Sequence, residues 1–195
     1  MLRKHRWWFE LREEDKLHFS PKYIFVDIDF DNKEKLIDAF NDRVYGFYLN
    51  PAKVLDNNRF GFACGLMCAA TIDFLARLIY PSFSSKLRIK NWLKDNIKEF
   101  NDENLAVKFY EDFRCGIVHE GRIKNPGEFS YESNHIVTAK DGIIRINPSL
   151  LLRKIEHALT EYLAMLQRDS VAFDNFRRCL KKDFEAEIFR EQSSR

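Results

Sequence analysis

Residues 113–121 read FRCGIVHEG, and two of them could do chemistry together. Arg114 and His119 stand at the end of an apolar stretch with four residues between them. A guanidinium keeps its proton at any physiological pH and presents a planar fork of donors that matches an anionic oxygen. A histidine titrates near pH 6.5 and can take or give a proton at neutral pH. Proton transfer at an anionic centre needs both groups, one to move the proton and one to hold the charge. On a straight helix residues five apart point about 140° away from each other. The pair therefore converges on one anion most easily if the helix ends near Glu120 or if a second protomer contributes.

The surrounding candidates each carry two readings. Cys115 follows the arginine directly and offers only a weak S–H donor. Arg122 and Lys124 lie just past Gly121, well placed to bind phosphate and equally ordinary as loop residues. Asp73 interrupts the most apolar segment, where a carboxylate needs a partner. Arg77 one turn on is its ordinary partner, and a place beside Arg114 is the functional alternative. Lys86, Lys90, Lys94 and Lys98 recur every four residues, with Arg88 and Trp92 between them. That stripe is either a track for a nucleic-acid backbone or the solvated face of an amphipathic helix, and the second is the commoner case. Arg12 and His18 repeat the Arg–His pairing with five residues between, in a charged segment without an apolar face. His135 and His157 stand alone and are given no role. Cys64 and Cys68, four apart, read as buried core thiols. There is no P-loop glycine signature, HExxH, GxSxG or Cys/His ligand spacing, so neither a metal nor a cofactor is expected.

The bulk numbers bound what these residues can serve. At 195 residues, 45% hydrophobic and with eighteen Phe, the chain can bury a real core, and one domain over 1–195 is expected. Thirty-two basic against thirty acidic residues leave +2, so no global field gathers nucleic acid and any anion site is local. Four cysteines without a CxxC pair fit reduced thiols and a cytoplasmic location. Charges at Arg3, Lys4, His5, Arg6 and Glu10 surround Trp7, Trp8 and Phe9, which does not read as a signal peptide. The apolar run from Phe60 to Ile72 is short for a bilayer before Asp73 and Arg77 interrupt it, so a core helix and no membrane partner are expected.

The elements that must position the pair follow from periodicity and punctuation. Tyr23–Asp27 alternates like a short strand. Lys33 to Leu49 has helical spacing up to Pro51. Asn58 can cap a long helix to Tyr80, Ser84 or Ser85 the next, and Asp102 a fourth whose Leu105, Phe109, Phe113 and Ile117 share one face. Gly121 suits a left-handed cap. Asp141-Gly142 joins HIVTAK to GIIRIN as a hairpin, read as an insertion dispensable for the fold. Pro148 opens a helix over Leu150–Leu166, and a charged helix covers Val171–Ile188. The sum is an all-α bundle of five to six helices with a small β-hairpin insertion.

At FRCGIVHEG the chain resembles the HEPN superfamily of small helical proteins. Members carry an Arg, four to six residues and a His near the end of one bundle helix. The pattern covers the helices from about Lys33 to Leu166, and identifiable residues run from Phe109 to Gly121. The resemblance implies a metal-independent ribonuclease of the toxin or defence kind, with an active site formed where two protomers of a homodimer meet. RNA as substrate and an antitoxin as protein partner come with it. Arg114 would then stabilise phosphate charge and His119 act as acid or base. Catalytic members usually place a polar residue after the Arg, and here it is Cys115. Two other classes stay open. One is a non-catalytic module of the same family that binds a nucleotide or a partner protein. The other is a structural bundle in which Arg114 pairs with Glu111 or another surface acid and His119 favours the negative end of its helix.

Overall fold

The computed structural model of the chain describes residues 12–13 and 16–193, and helices account for most of them. A two-residue ladder, β1 (Arg12–Glu13) with β2 (Lys16–Leu17), precedes the helices. Tyr23–Asp27 is not a strand. Only Ile24 bridges, to His18, and Phe25–Asp27 forms a 3₁₀ turn. The reason is local: Phe19 and Ser20 N–H both donate to the Tyr23 carbonyl, which closes a tight loop and turns Phe25 into the core.

Asn32 accepts from the Lys35 N–H and starts α1, Lys33–Val44. Pro51 does not end this segment. The chain widens into a π-turn, Tyr45–Leu49, and resumes as α2, Asn50–Asn57, with Pro51 in the first turn, where a missing N–H costs nothing. Asn58 closes α2, its side chain donating to the Val54 carbonyl at 2.8 Å, instead of capping the next helix. Helix α3 spans Gly61–Ile79 and continues through Asp73 and Arg77. By length and composition alone it could cross a membrane, but 56% of its most apolar window is buried inside the protein. Helix α4 is Ser85–Asn96. Asp102 caps α5, Glu103–Lys108, accepting from the Asn104 N–H at 2.9 Å. A second π-turn, Phe109–Cys115, leads into α6, Gly116–Glu120, which Gly121 ends in the left-handed conformation at φ 67°.

Three strands follow: β3 (Gly127–Phe129), β4 (Val137–Lys140) and β5 (Ile143–Ile146). β4 and β5 form the expected hairpin, with Asp141 and Gly142 both at positive φ. β3 was not legible in the sequence and pairs parallel with β5. Pro148 opens α7, Pro148–Arg168, and Asp169 caps α8, Ser170–Asp183, which is followed by α9, Glu185–Ser193.

Two compact units divide the chain: Met1–Phe47 with Leu163–Arg195, and Tyr48–Tyr162. The first gathers aromatic rings, with Phe19 edge-on to Phe25 at 5.3 Å and Phe40 against Phe176 at 4.9 Å. Arg43 is buried among them, donating to the Phe19 carbonyl with its guanidinium 4.7 Å from the Phe184 ring. The second unit packs α3 against α4 and the second π-turn through Ile72, Leu75, Trp92, Phe109 and Phe113. The sheet packs into this core, unlike an appendage that leaves its residues exposed. Phe129 lies 5.4 Å from Phe113, and Val137 and Ile146 are buried. Ile146→Ala is therefore expected to lower stability by about 2–5 kcal/mol, read as a lower urea midpoint at unchanged slope.

Candidate anion-binding and acid–base site

The Arg114–His119 pair lies within the second unit, and a single chain brings it together. Arg114 ends the π-turn and His119 stands in α6, with Arg114 Nη1 3.2 Å from His119 Nε2. The straight-helix geometry overstated their separation. Only Arg114 and Cys115 of this interval belong to the π-turn and the rest is α6, so the long arginine side chain does the bridging. No second protomer is needed to make them meet. Because arginine has only donors, Nε2 accepts in this contact, which fits the neutral imidazole with its proton on Nδ1. His119 is exposed at the end of its helix.

Local sequence explains why the pair sits here. Phe109 and Phe113 are buried and anchor the π-turn. The loop after Gly121 folds back over it: Arg122 N–H donates to the Gly116 carbonyl at 3.3 Å and Lys124 N–H to the Asp112 carbonyl at 2.9 Å. Asn125 Nδ2 donates to the buried Asp112 carboxylate at 2.7 Å. A Cβ on residue 116 would lie 2.6 Å from the Arg122 carbonyl oxygen, so this close backbone approach requires the glycine.

Asp73, on α3, holds the arginine. Arg114 donates to its Oδ2 through Nε at 3.0 Å and Nη2 at 2.5 Å, while Arg88 Nη2 donates to Oδ1 at 3.3 Å. The ordinary partner expected for Asp73, Arg77, is replaced by these two, and Arg114 does not pair with Glu111, which instead accepts from Lys86 at 2.6 Å. Burial works against the Arg114 charge, yet the hydrogen bond and charge of Asp73 outweigh it and hold its pKa above the ordinary arginine value. Cys115 Sγ lies 3.9 Å from Arg114 Nη1. Burial, then the hydrogen bond to Cys115, push the neighbouring Tyr110 phenol up.

Beside this network opens a cleft of about 460 Å³ whose walls include Tyr48, Asp73, Phe74, Arg77, Arg88 and Arg114. His119 stands outside those walls, across Arg114. Tyr48 stacks on Phe74 at 5.5 Å and 11° between planes, and the Arg77 guanidinium sits 5.9 Å from the Phe74 ring. Tyr48 and Arg114 each come from a π-turn, an irregularity found often at functional sites.

The remaining candidates separate. Arg122 and Lys124 do not line the cleft and both pair with Glu120, Arg122 at 2.9 Å. In the lysine stripe, Lys86 pairs with Glu111, and Lys90 and Lys94 with Glu103. Trp92 is fully buried and offers no ring to a base, so the solvated-face reading fits this helix. What α4 gives the cleft is Arg88, and α3 gives Arg77. Neither was assigned to the site from the sequence, although Arg77 falls one turn after Asp73. Cys64 and Cys68 are buried, and the hydrogen bond to Cys64, then burial, raise the Cys68 thiol. Among the described residues no group of three or more His, Cys, Asp or Glu is placed to hold a metal. The side chain of Arg12, which completes the second Arg–His pair, and the segment Arg3 to Glu10 lie outside the described residues. No protein-family model, curated protein or solved structure matches the chain.

Proposed function

We propose that the protein is a HEPN-like endoribonuclease of the toxin or defence kind, cytoplasmic and homodimeric, built on a mostly helical fold with a small sheet. The observation that carries this reading is the placement of Arg114: Asp73 fixes two of its donors and leaves Nη1 at 3.2 Å from His119 Nε2. A phosphodiester beside that pair meets a permanent cation and a proton acceptor at one point. In the proposed step the ribose 2′-oxygen bonds to phosphorus, the bond to the 5′-oxygen breaks, and the 2′-proton passes to His119 Nε2. The leaving 5′-oxygen takes a proton from water or from His119 of a second protomer. The products are a 2′,3′-cyclic phosphate and a 5′-hydroxyl. Arg114 holds the charge on the phosphate oxygens as the step proceeds. The exposed Val118, next to His119, supplies apolar surface for a second copy.

Cys115 favours a second reading, a non-catalytic module that binds nucleotide or a partner protein, since a thiol stands where active relatives would place a stronger donor. One preparation separates the two. Incubated with RNA in EDTA, the purified protein is expected to leave 2′,3′-cyclic termini, to spare DNA, and to run as a dimer in light scattering at tens of micromolar. Cys115→Asn is expected to hold or raise the rate. Binding without cleavage would select the second reading, and a requirement for magnesium would overturn the first.

A further inference from the structure

The cleft brings more guanidiniums to its walls than a single bound phosphate would contact. Three of them, Arg77, Arg88 and Arg114, share those walls with Asp73, the one carboxylate among the described lining residues. Charge in such a confined concave site is screened less than on open surface. The Asp73 carboxylate also stands between the two arginines it binds, with Arg114 on Oδ2 and Arg88 on Oδ1. A phosphate in contact with Arg114 Nη1 and His119 lies on the far side of Arg114 from Arg88. It cannot reach Arg88 while that carboxylate is in place. Arg88 makes both of its hydrogen bonds through Nη2, to Asp73 and to Ser85 Oγ at 3.0 Å, so the rest of its fork is not committed to them.

We infer that the cleft has a second phosphate position, at Arg88 and Arg77, one nucleotide along a single-stranded RNA from the phosphate at Arg114 and His119. This deepens the ribonuclease reading and rests on it for the direction of the strand. The intervening nucleoside lies against the Tyr48–Phe74 stack, where a base or ribose finds an aromatic wall that discriminates little between bases. The class of ligand is thus a nucleoside with phosphate on both its 3′ and 5′ oxygens, the repeating unit of an RNA chain. A nucleotide with one phosphate fills half of the site.

Calorimetric titration of the full chain at low salt tests this without cleavage. Adenosine 3′,5′-bisphosphate is expected to bind at least about tenfold more tightly than adenosine 5′-monophosphate, since a second charge-assisted contact of this kind is worth more than a tenfold change. Arg77→Gln, which touches none of the Asp73 bonds, should shrink that advantage, and Arg88→Gln should shrink it as well. A single-stranded RNA trinucleotide should displace the bisphosphate. Equal affinity for the two nucleotides, or an advantage that survives Arg77→Gln with Arg88→Gln, would overturn the second position. An undisplaced bisphosphate would overturn the placement of an RNA strand. The ribonuclease reading is judged apart, because RNA that stays intact while the bisphosphate advantage holds counts against the chemistry alone.

Discussion

His119→Ala is expected to slow RNA cleavage by roughly 10²–10⁴-fold, the range lost with a general acid or base, while helical circular dichroism and the urea midpoint stay near wild type. The side chain is exposed and meets Arg114 at its surface, so truncation opens no cavity and orphans no buried group. Arg114→Ala should fall on the same chemical step, lowering kcat more than it raises KM, because a charge-stabilising contact matters most as charge builds on phosphate. It should also cost stability, since Asp73 then keeps only Arg88 among the described residues. Single-turnover cleavage of a defined oligonucleotide separates the two variants. A His119→Ala protein as fast as wild type would remove the histidine from the mechanism.

Asp73→Asn is expected to split affinity from turnover. The amide keeps the shape of the carboxylate but not its charge, so the Arg114 fork is left with at most a neutral carbonyl in place of the charged oxygen that fixes Nε and Nη2. Losing charge-assisted bonds on a mostly buried acid should cost about 1.5–3 kcal/mol in urea unfolding. The cleft meanwhile loses one negative charge, so affinity for a phosphorylated nucleotide should hold or rise. Cleavage should fall by at least about tenfold because the arginine is no longer aimed. Asp73→Glu should restore part of the rate. A variant that loses binding and turnover in the same proportion would mean that Asp73 does not position Arg114.

The parts of the fold legible in the sequence are those set by neighbours along the chain. Asn32, Asp102, Gly121, Pro148 and the Asp141-Gly142 turn all act within a few residues of themselves, and each lies at the helix end or hairpin it marks. Tyr23–Asp27 read as a strand because alternation measures side-chain pattern, whereas the Tyr23 carbonyl bonds that close its loop involve backbone alone. β3 was hidden for a related reason. Its three residues form a strand only because β5, more than a dozen residues later, lies alongside.

The site divides in the same way. The Arg114–His119 pair is a local spacing and could be read, but the partner of Asp73 could not. Arg77 is near it along α3, and Arg114 is 41 residues away along the chain and near it in space. Arg88 was seen only as part of a lysine stripe, since nothing in the sequence tells which residue of an amphipathic helix faces a cleft. Trp92, in the same stripe, went to the core.

The π-turn Phe109–Cys115 acts as a phase adjuster between two parts of one continuous helical run. Upstream, Phe109 is locked to the core; downstream, Gly116 to Glu120 carries the histidine. A π-turn holds one residue more than an α-turn, so a helix that shed that residue would close into a regular one and rotate everything after it by about 100°. Arg114 and His119 would turn together, their interval unchanged, while Asp73 stayed behind on its own helix. The motif would survive letter for letter and the site would be dismantled. In variants of this chain that gain or lose one residue in this turn, the quantity that decides whether Asp73 still holds the arginine is its angle relative to the phenylalanine core, and the Arg–His interval is silent about it.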